Sequence, residues 1–148
     1  MRWEEAVKVA LCFGWIDSTV KNLGGAKRRQ YFCPRNPKST WSKLNKTYIK
    51  ELEEAGLLNE SGYKSVELAK KIGTWTAMDD VENGVIPSDL QKAFDSNPVA
   101  SENFQNFSPG YRKSYLSWLH VAKREETRMK RIEEIIKLCE ANKKERQY

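Results

Sequence analysis

Hydrophobic residues near the start of the chain follow first a helical and then a strand-like pattern. Over residues 3–11 they recur at helical spacing, which predicts one apolar helix face, and Gly14 is a natural residue to end that helix. Residues 15–23 and residues 28–35 each carry aromatic and β-favouring residues. The glycine pair within residues 24–27 predicts a turn between them, so the two runs are expected to pair as an antiparallel hairpin.

From residue 39 onward the pattern predicts helices. Ser39 or Thr40 is expected to cap the first of them. Its apolar side is expected to carry Trp41, Leu44, Tyr48, Leu52 and Ala55. Residues 74–86 are expected to form an acidic loop. Further helices are predicted to begin near Asn59 or Ser61, Pro87, Asn97, Ser108 and Glu126.

These elements predict an α+β fold, mostly helical, with one small antiparallel β-hairpin near the N-terminus. We expect a single domain over residues 1–148, with a helix–hairpin–helix part at 1–73 and a C-terminal helical part at 88–142. A length of 148 residues fits one domain with a core of ordinary size. No stretch approaches the roughly 18 apolar residues that a membrane span needs, so no membrane span is expected.

The positive charge is concentrated in one part of the chain. The net charge is +6, yet residues 18–50 carry nine basic residues and no acidic one, whereas residues 51–108 carry eleven acidic residues and four basic ones. The nine are Lys21, Lys27, Arg28, Arg29, Arg35, Lys38, Lys43, Lys46 and Lys50. Such a run creates a positive potential unless the acidic segment folds over it, and the sequence leaves both arrangements open.

Cysteine and histidine usage excludes several kinds of site. Cys12, Cys33 and Cys139 are odd in number and widely spaced, which fits neither a disulfide framework nor a zinc-ligand pattern. His120 is the single histidine, so we expect no metal and no cofactor. The first residues include Glu4 and do not form a secretory signal, so the expected location is the cytoplasm.

Three blocks of sequence resemble a known family. They are residues 10–18 (ALCFGWIDS), residues 32–45 (FCPRNPKSTWSKLN) and residues 118–132 (WLHVAKREETRMKRI). The chain is similar in them to the YdeI/OmpD-associated family, also called bacteriocin-protection. The resemblance implies no established activity, cofactor or catalytic residue, and the family's labels suggest protection against toxic peptides or an association with the cell envelope.

The resemblance also implies that the usual N-terminal segment of the family is lacking. Relatives generally have several dozen residues before the block that begins here at Trp3. We therefore expect the hairpin either to lack a further sheet partner or to gain one by self-association, which would make a homo-oligomer.

The basic run supplies candidate anion-binding or nucleic-acid-binding residues. They are Lys27, Arg28, Arg29, Arg35 and Lys38. Basic residues interleaved with aromatic ones suit nucleic acid, through phosphate neutralisation and base stacking. The alternative is that the aromatic residues form the core face and the basic residues the solvated face of the same elements.

A second candidate is a small pocket around Trp15, Asp17 and Trp41. With Arg35 nearby, these residues could bind an anionic or aromatic group. The alternative is an ion pair between Asp17 and Arg35 that joins the hairpin to the next loop.

No catalytic constellation is apparent in the sequence. Ser42 lacks the surroundings of an activated nucleophile, and His120 lies far from it along the chain. Residues 126–128 suit a helix start, either as a phosphate contact or, as we favour, as a cap.

The expected function is therefore a non-enzymatic binding or stress-protection module of the YdeI/OmpD-associated type. The first alternative is nucleic-acid binding through residues 18–50, and the second is a small-molecule pocket at Trp15 and Trp41. The partner expected is an acidic protein surface or nucleic acid.

Overall fold

The computed structural model describes residues 2–145, which fold into eight helices and one two-stranded antiparallel sheet. The elements are α1 (Trp3–Cys12), β1 (Trp15–Asn22), β2 (Arg28–Pro34), α2 (Lys43–Glu54), α3 (Glu60–Ile72), α4 (Asp79–Glu82), α5 (Ser88–Asp95), α6 (Pro98–Asn106), α7 (Pro109–His120) and α8 (Glu125–Glu140). This architecture confirms the predicted α+β class and the single hairpin near the N-terminus.

The chain divides into two compact units, Met1–Met78 and Asp79–Tyr148. The boundary falls within the segment 74–86 that the sequence analysis expects to be a loop. Part of that segment is instead the short helix α4 (Asp79–Glu82), so the loop prediction is wrong there. The expectation of a single domain over residues 1–148 stays a prediction.

One hydrophobic cluster holds the N-terminal unit together. Its buried members are Val7, Leu11, Cys12, Trp41, Tyr48, Ile49, Leu52, Leu58, Val66 and Ala69. Each large side chain buried in this way contributes about 1.5–3 kcal/mol. The ring of Trp41 lies with its centroid 4.9 Å from that of Trp75, so the segment before α2 is anchored in the core.

The start of α2 differs from the prediction. The helix begins at Lys43, and its cap is Ser42 rather than Ser39 or Thr40. The Ser42 Oγ accepts the backbone N–H of Asn45 at 3.3 Å, which satisfies one of the free donors in the first helical turn. The cap therefore lies two to three residues later than predicted.

The predicted apolar face of this helix is wrong at three positions, one of which is Ala55, an exposed residue that follows the last helical residue. Trp41 is buried but precedes the helix, and Leu44 is 45% exposed. The buried face consists of Tyr48, Ile49 and Leu52. Trp41 enters the core from the loop before the helix. Its three-residue spacing from Leu44 therefore does not place the two side chains on one helix face.

Helices α1 and α3 meet where a glycine allows close contact. The backbone N–H of Asn59, the N-cap of α3, donates to the carbonyl of Cys12 at 3.0 Å. A Cβ atom on Gly62 would lie only 2.5 Å from the same carbonyl oxygen. Because Gly62 has no side chain, the end of α1 and the start of α3 can approach each other this closely.

The C-terminal unit is helical and has an aromatic core. Phe94 and Phe104 pack with ring centroids 4.9 Å apart, and Phe107 stacks on Tyr115 at 6.3 Å. Within residues 2–145, none of the helices is both long enough and apolar enough to cross a membrane.

Two arginines of α8 bind the C-terminal end of α7. Arg128 donates to both carboxylate oxygens of Asp89 and to the carbonyl of Leu119, and Arg131 donates to the carbonyl of Trp118. These carbonyls belong to the last turn of α7, where a helix leaves its carbonyls without a regular helical donor, and the Leu119 carbonyl also accepts the Ala122 N–H at 3.1 Å. The N-terminus of α8 has no side-chain cap, so the expected cap is wrong and the arginines serve α7 instead.

Candidate binding surface

The hairpin extends from the N-terminal unit as an exposed ribbon. Its register pairs Trp15 with Pro34 and Asn22 with Arg28, with an irregularity between Asp17 and Val20. The side chains of residues 18–29 are all exposed. A long ribbon of this kind buries little apolar area of its own, so its stability depends on the packing at its base.

A short turn closes the hairpin. Gly24 and Gly25 have φ values of +90° and +58°, a conformation that favours glycine. The Leu23 backbone N–H donates to the Lys27 carbonyl at 3.0 Å, and the Gly24 N–H donates to Asn22 Oδ1 at 3.0 Å. These bonds fix the direction of the ribbon and hold its basic residues at the exposed end.

Four basic residues, Lys21, Lys27, Arg28 and Arg29, lie on this ribbon, which we call the cationic hairpin. All four are exposed, and none forms a salt bridge with a carboxylate of residues 2–145. Lys21 is directly opposite Arg29 in the register. Its Nζ also lies 5.9 Å from the ring centroid of Tyr31. The cationic hairpin therefore presents positive charge to solvent.

The other basic residues of the 18–50 run differ among themselves. Lys38 is exposed in the loop after β2, and no carboxylate of the described chain pairs with it. Lys50 pairs with Glu54 at 3.8 Å. Lys46 lies 5.5 Å from the ring centroid of Trp75. Lys46 and Lys50 on α2 thus contact other groups of the protein, as Lys21 does on the hairpin, whereas Lys27, Arg28 and Arg29 form no ion pair with a carboxylate of residues 2–145.

Arg35 has surroundings unlike those of the other candidates. Its guanidinium carbon lies 3.7 Å from the ring centroid of Trp41, and its Nη2 donates to the Thr40 carbonyl at 2.6 Å. The Nε and Nη1 atoms are buried and have no hydrogen-bond partner among residues 2–145. Burial lowers the pKa of Arg35 to about 10, against the opposing effect of Asp17. The charge of Arg35 therefore faces the protein interior.

The three residues of the predicted pocket do not share one cavity. Asp17 accepts the indole N–H of Trp3 at 3.1 Å through its Oδ2. Trp15 is 43% exposed and lines a surface groove, whereas Trp41 is buried in the core. Asp17 acts on Arg35 only through its charge, since no salt bridge between them is present in residues 2–145.

The groove beside Trp15 is a feature that the sequence analysis missed. We call it the apolar groove; its lining residues are Ala6, Val9, Ala10, Phe13, Trp15 and Phe32, and its volume is about 480 Å³. A signal for it exists in the sequence: Val9 and Phe13 are apolar, yet they do not share the face of α1 that carries the buried Val7 and Leu11. Two apolar stripes on one short helix indicate a second contact surface.

The side chains that the sequence offers as a nucleophile, a base or a metal ligand lie apart from one another or have a structural role. The Ser42 Oγ caps α2, and His120 lies half-buried in the last turn of α7, in the other unit. Cys12 and Cys139 are buried free thiols, and burial raises the pKa of the Cys139 thiol to about 12. In the described part of the chain, no three His, Cys, Asp or Glu residues are grouped so that they could hold a metal ion.

Comparisons with known proteins divide the chain at about the same place as the fold does. Residues 1–65 match a domain of unknown function (DUF8412), and residues 83–142 match the family described as "Bacteriocin-protection, YdeI or OmpD-Associated". The first two sequence blocks fall in the first match, and the third block falls in the second. No curated protein and no solved structure matches the chain significantly. The predicted resemblance is confirmed over residues 83–142, where the chain is similar to the family described as bacteriocin-protection, YdeI or OmpD-associated.

Proposed function

We propose that this protein is a non-enzymatic binding module of a stress-protection type, in keeping with the family name, and that it contacts a polyanionic partner through the cationic hairpin. One observation carries the proposal: four exposed basic residues lie on an extended ribbon without a carboxylate partner among residues 2–145. Unpaired surface charge of one sign attracts partners of the opposite sign over a distance of about 10 Å at ordinary salt.

Electrostatic repulsion within the hairpin supports a role in contact rather than in stability. Lys21 and Arg29 occupy opposite positions on neighbouring strands. Like charges in such positions destabilise a sheet. An anionic partner would remove that repulsion, so the bound state gains more from these residues than the free fold does.

The surroundings of the possible nucleophile also favour binding over catalysis. The Ser42 Oγ is committed to the N–H of Asn45 as a helix cap, and its hydroxyl has no histidine beside it in its own unit. A nucleophilic serine needs an adjacent base that a third group orients. We therefore propose that the protein acts by binding a partner and not by catalysis.

The test is the affinity for two simple polyanions, an oligothymidine of about twenty nucleotides and a polyglutamate of similar length, as a function of salt. The variant is Lys27→Glu/Arg28→Glu/Arg29→Glu, and the control, with the same change in net charge, is Lys92→Glu/Lys123→Glu/Lys144→Glu. We expect the hairpin variant to weaken binding by at least about tenfold and the control to have a much smaller effect. Equal loss in both variants, or no binding of either polyanion at low salt, would overturn the proposal.

Nucleic acid is a second candidate partner, which one observation favours. Tyr31 is 39% exposed on β2, next to the hairpin cations, and an exposed aromatic ring beside cations suits base stacking. If Lys21, Lys27, Arg28, Arg29 and Lys38 all meet phosphates, log K falls with log salt at a slope of about −3.5 for single strands and about −4.5 for a duplex. Tyr31→Ala should then weaken oligothymidine binding and leave polyglutamate binding unchanged.

A further inference from the structure

The apolar groove lies between α1 and the base of the hairpin, within the N-terminal unit. Its volume of about 480 Å³ is in the range of ligand sites. Ala6 and Ala10 are half-buried, whereas the side chains of Val9 and Phe13 are 53% and 51% exposed. Trp15 on the hairpin side is 43% exposed as well. Concave apolar surface with bulky exposed walls is typical of a docking site.

The α1 side of the groove has the dimensions of a short helix contact. Ala6, Val9, Ala10 and Phe13 stand at positions i, i+3, i+4 and i+7, which spans roughly 10.5 Å at 1.5 Å per residue. The two alanines leave room for a second helix to approach α1 closely. A partner helix would match this stripe with apolar residues over two of its own turns.

The acidic residues of α1 already have partners. Glu4 forms a salt bridge with Lys8, with 3.4 Å between Oε1 and Nζ. Glu5 accepts the backbone N–H of Arg2 at 2.8 Å through its Oε2. Both carboxylates of the first turn of α1 therefore have partners at the start of this helix.

Strand β2 connects the apolar groove with the basic end of the cationic hairpin. Phe32 lines the groove, and because side chains alternate along a strand, Gln30 and Arg28 project from the same face. Arg28 is exposed at a distance of about 13 Å along the strand from Phe32. A ligand that fills the groove and continues along this face of the ribbon meets Arg28 next.

We propose that the apolar groove docks an amphipathic helix of a partner protein, with apolar residues at i, i+3 or i+4, and i+7 and with acidic residues at the end that reaches the cationic hairpin. This inference rests on the proposed function, because it uses the hairpin as the anchor of the acidic end. A second copy of the chain is disfavoured, since its own cationic hairpin would enter the same interface.

The test uses a designed labelled peptide of about eighteen residues, with leucines at helical spacing and glutamates elsewhere. A scrambled peptide of the same composition removes the apolar stripe, and a third peptide replaces the glutamates by lysines. The groove variant is Val9→Asp, and the matched control is Val99→Asp on α6, where the valine is 60% exposed. Binding is measured by anisotropy and by the fluorescence shift of Trp15, which the Trp15→Phe variant should lose.

The expected result is that the acidic amphipathic peptide binds, that Val9→Asp weakens it by at least about tenfold, and that Val99→Asp does not. Oligothymidine binding should be unaffected by Val9→Asp, which separates this inference from the proposed function. Equal binding of the scrambled or the lysine peptide would overturn it. So would a dimer that Val9→Asp dissociates, or binding only to vesicles of phosphatidylcholine and phosphatidylglycerol.

Discussion

Lys21 lies directly opposite Arg29 across the hairpin, so two positive side chains share one face of a two-stranded sheet. In residues 2–145, neither has a carboxylate partner in a salt bridge. Like charges in directly opposite positions destabilise a sheet. The hairpin therefore carries charge at the expense of its own stability, which is why we place the binding surface there.

Replacing one member of this pair should separate stability from binding. Lys21→Glu turns the repulsion into an attractive cross-strand pair, so the free energy of unfolding should rise by about 0.2–1 kcal/mol. The same change should weaken polyanion binding, because a positive charge is lost and a negative one gained. Chemical denaturation and oligothymidine titration measure the two effects. A variant that is destabilised, or that binds as tightly as the parent, would contradict this account.

The half-buried position of Arg35 against the Trp41 ring predicts that it does not contact a bound polyanion. Arg35→Met keeps an apolar stem against Trp41 and removes two buried nitrogen donors that have no partner within the described part of the chain. The salt dependence of oligothymidine binding should keep the slope of the parent protein. Arg29→Met, in contrast, should reduce the steepness by about 0.7 for single strands. An equal reduction in both variants would show that Arg35 is part of the contact surface.

The close contact at Gly62 predicts a contrast between two glycine substitutions. A Cβ on Gly62 would lie 2.5 Å from the Cys12 carbonyl oxygen, whereas one on Gly110 meets nothing within 4 Å. Gly62→Ala should therefore lower the free energy of unfolding by about 1–3 kcal/mol. Gly110→Ala should leave it unchanged or raise it by up to about 1 kcal/mol. Thermal denaturation of both variants is the measurement, and equal melting temperatures would argue against the packing of α1 on α3.

The ion pair between Asp89 and Arg128 predicts acid sensitivity in the C-terminal unit. The hydrogen bond from Arg128 lowers the pKa of the Asp89 carboxyl below its usual value, against the effect of burial. A lowered pKa adds stability that is fully present above the unfolded value of about 4 and is lost as the pH falls through the folded value.

The Asp89→Asn variant measures this contribution. The parent should exceed Asp89→Asn in stability at neutral pH, and the difference should shrink as the pH falls below about 4. Glu102→Gln, at an exposed carboxyl of α6, is the control. Urea denaturation across this pH range checks the expectation. A difference that stays constant with pH would mean that the lost stability comes from packing alone.

Local sequence signals were enough to predict the hairpin and several helix ends. The glycine pair Gly24 and Gly25 predicted a turn, which their positive φ values confirm, and Asn59 marks the start of α3 as predicted. These signals depend on the conformation of one or two residues, so they can be read without knowing the fold. The resemblance of residues 118–132 to the family was equally local.

Other features depend on contacts between distant residues and could not be predicted. Trp41 packs against Trp75 and Arg35. The helical spacing could not show that it lies before α2, because these contacts join distant parts of the sequence. The apolar groove exists only because Trp15 and Phe32 lie beside α1. In the sequence, Arg35 was a candidate anion-binding residue together with the hairpin cations. Only the structure shows that it is half-buried against Trp41.

The most direct test of the central claim is the mapping of a bound polyanion by NMR on the full ¹⁵N-labelled chain. Oligothymidine is added at low salt, and the backbone amide shifts are followed residue by residue. We predict that the largest shifts fall on residues 20–30 and that they fade as salt is raised. Shifts confined to α7 and α8, with the hairpin amides unmoved, would contradict the assignment of the binding surface to the cationic hairpin.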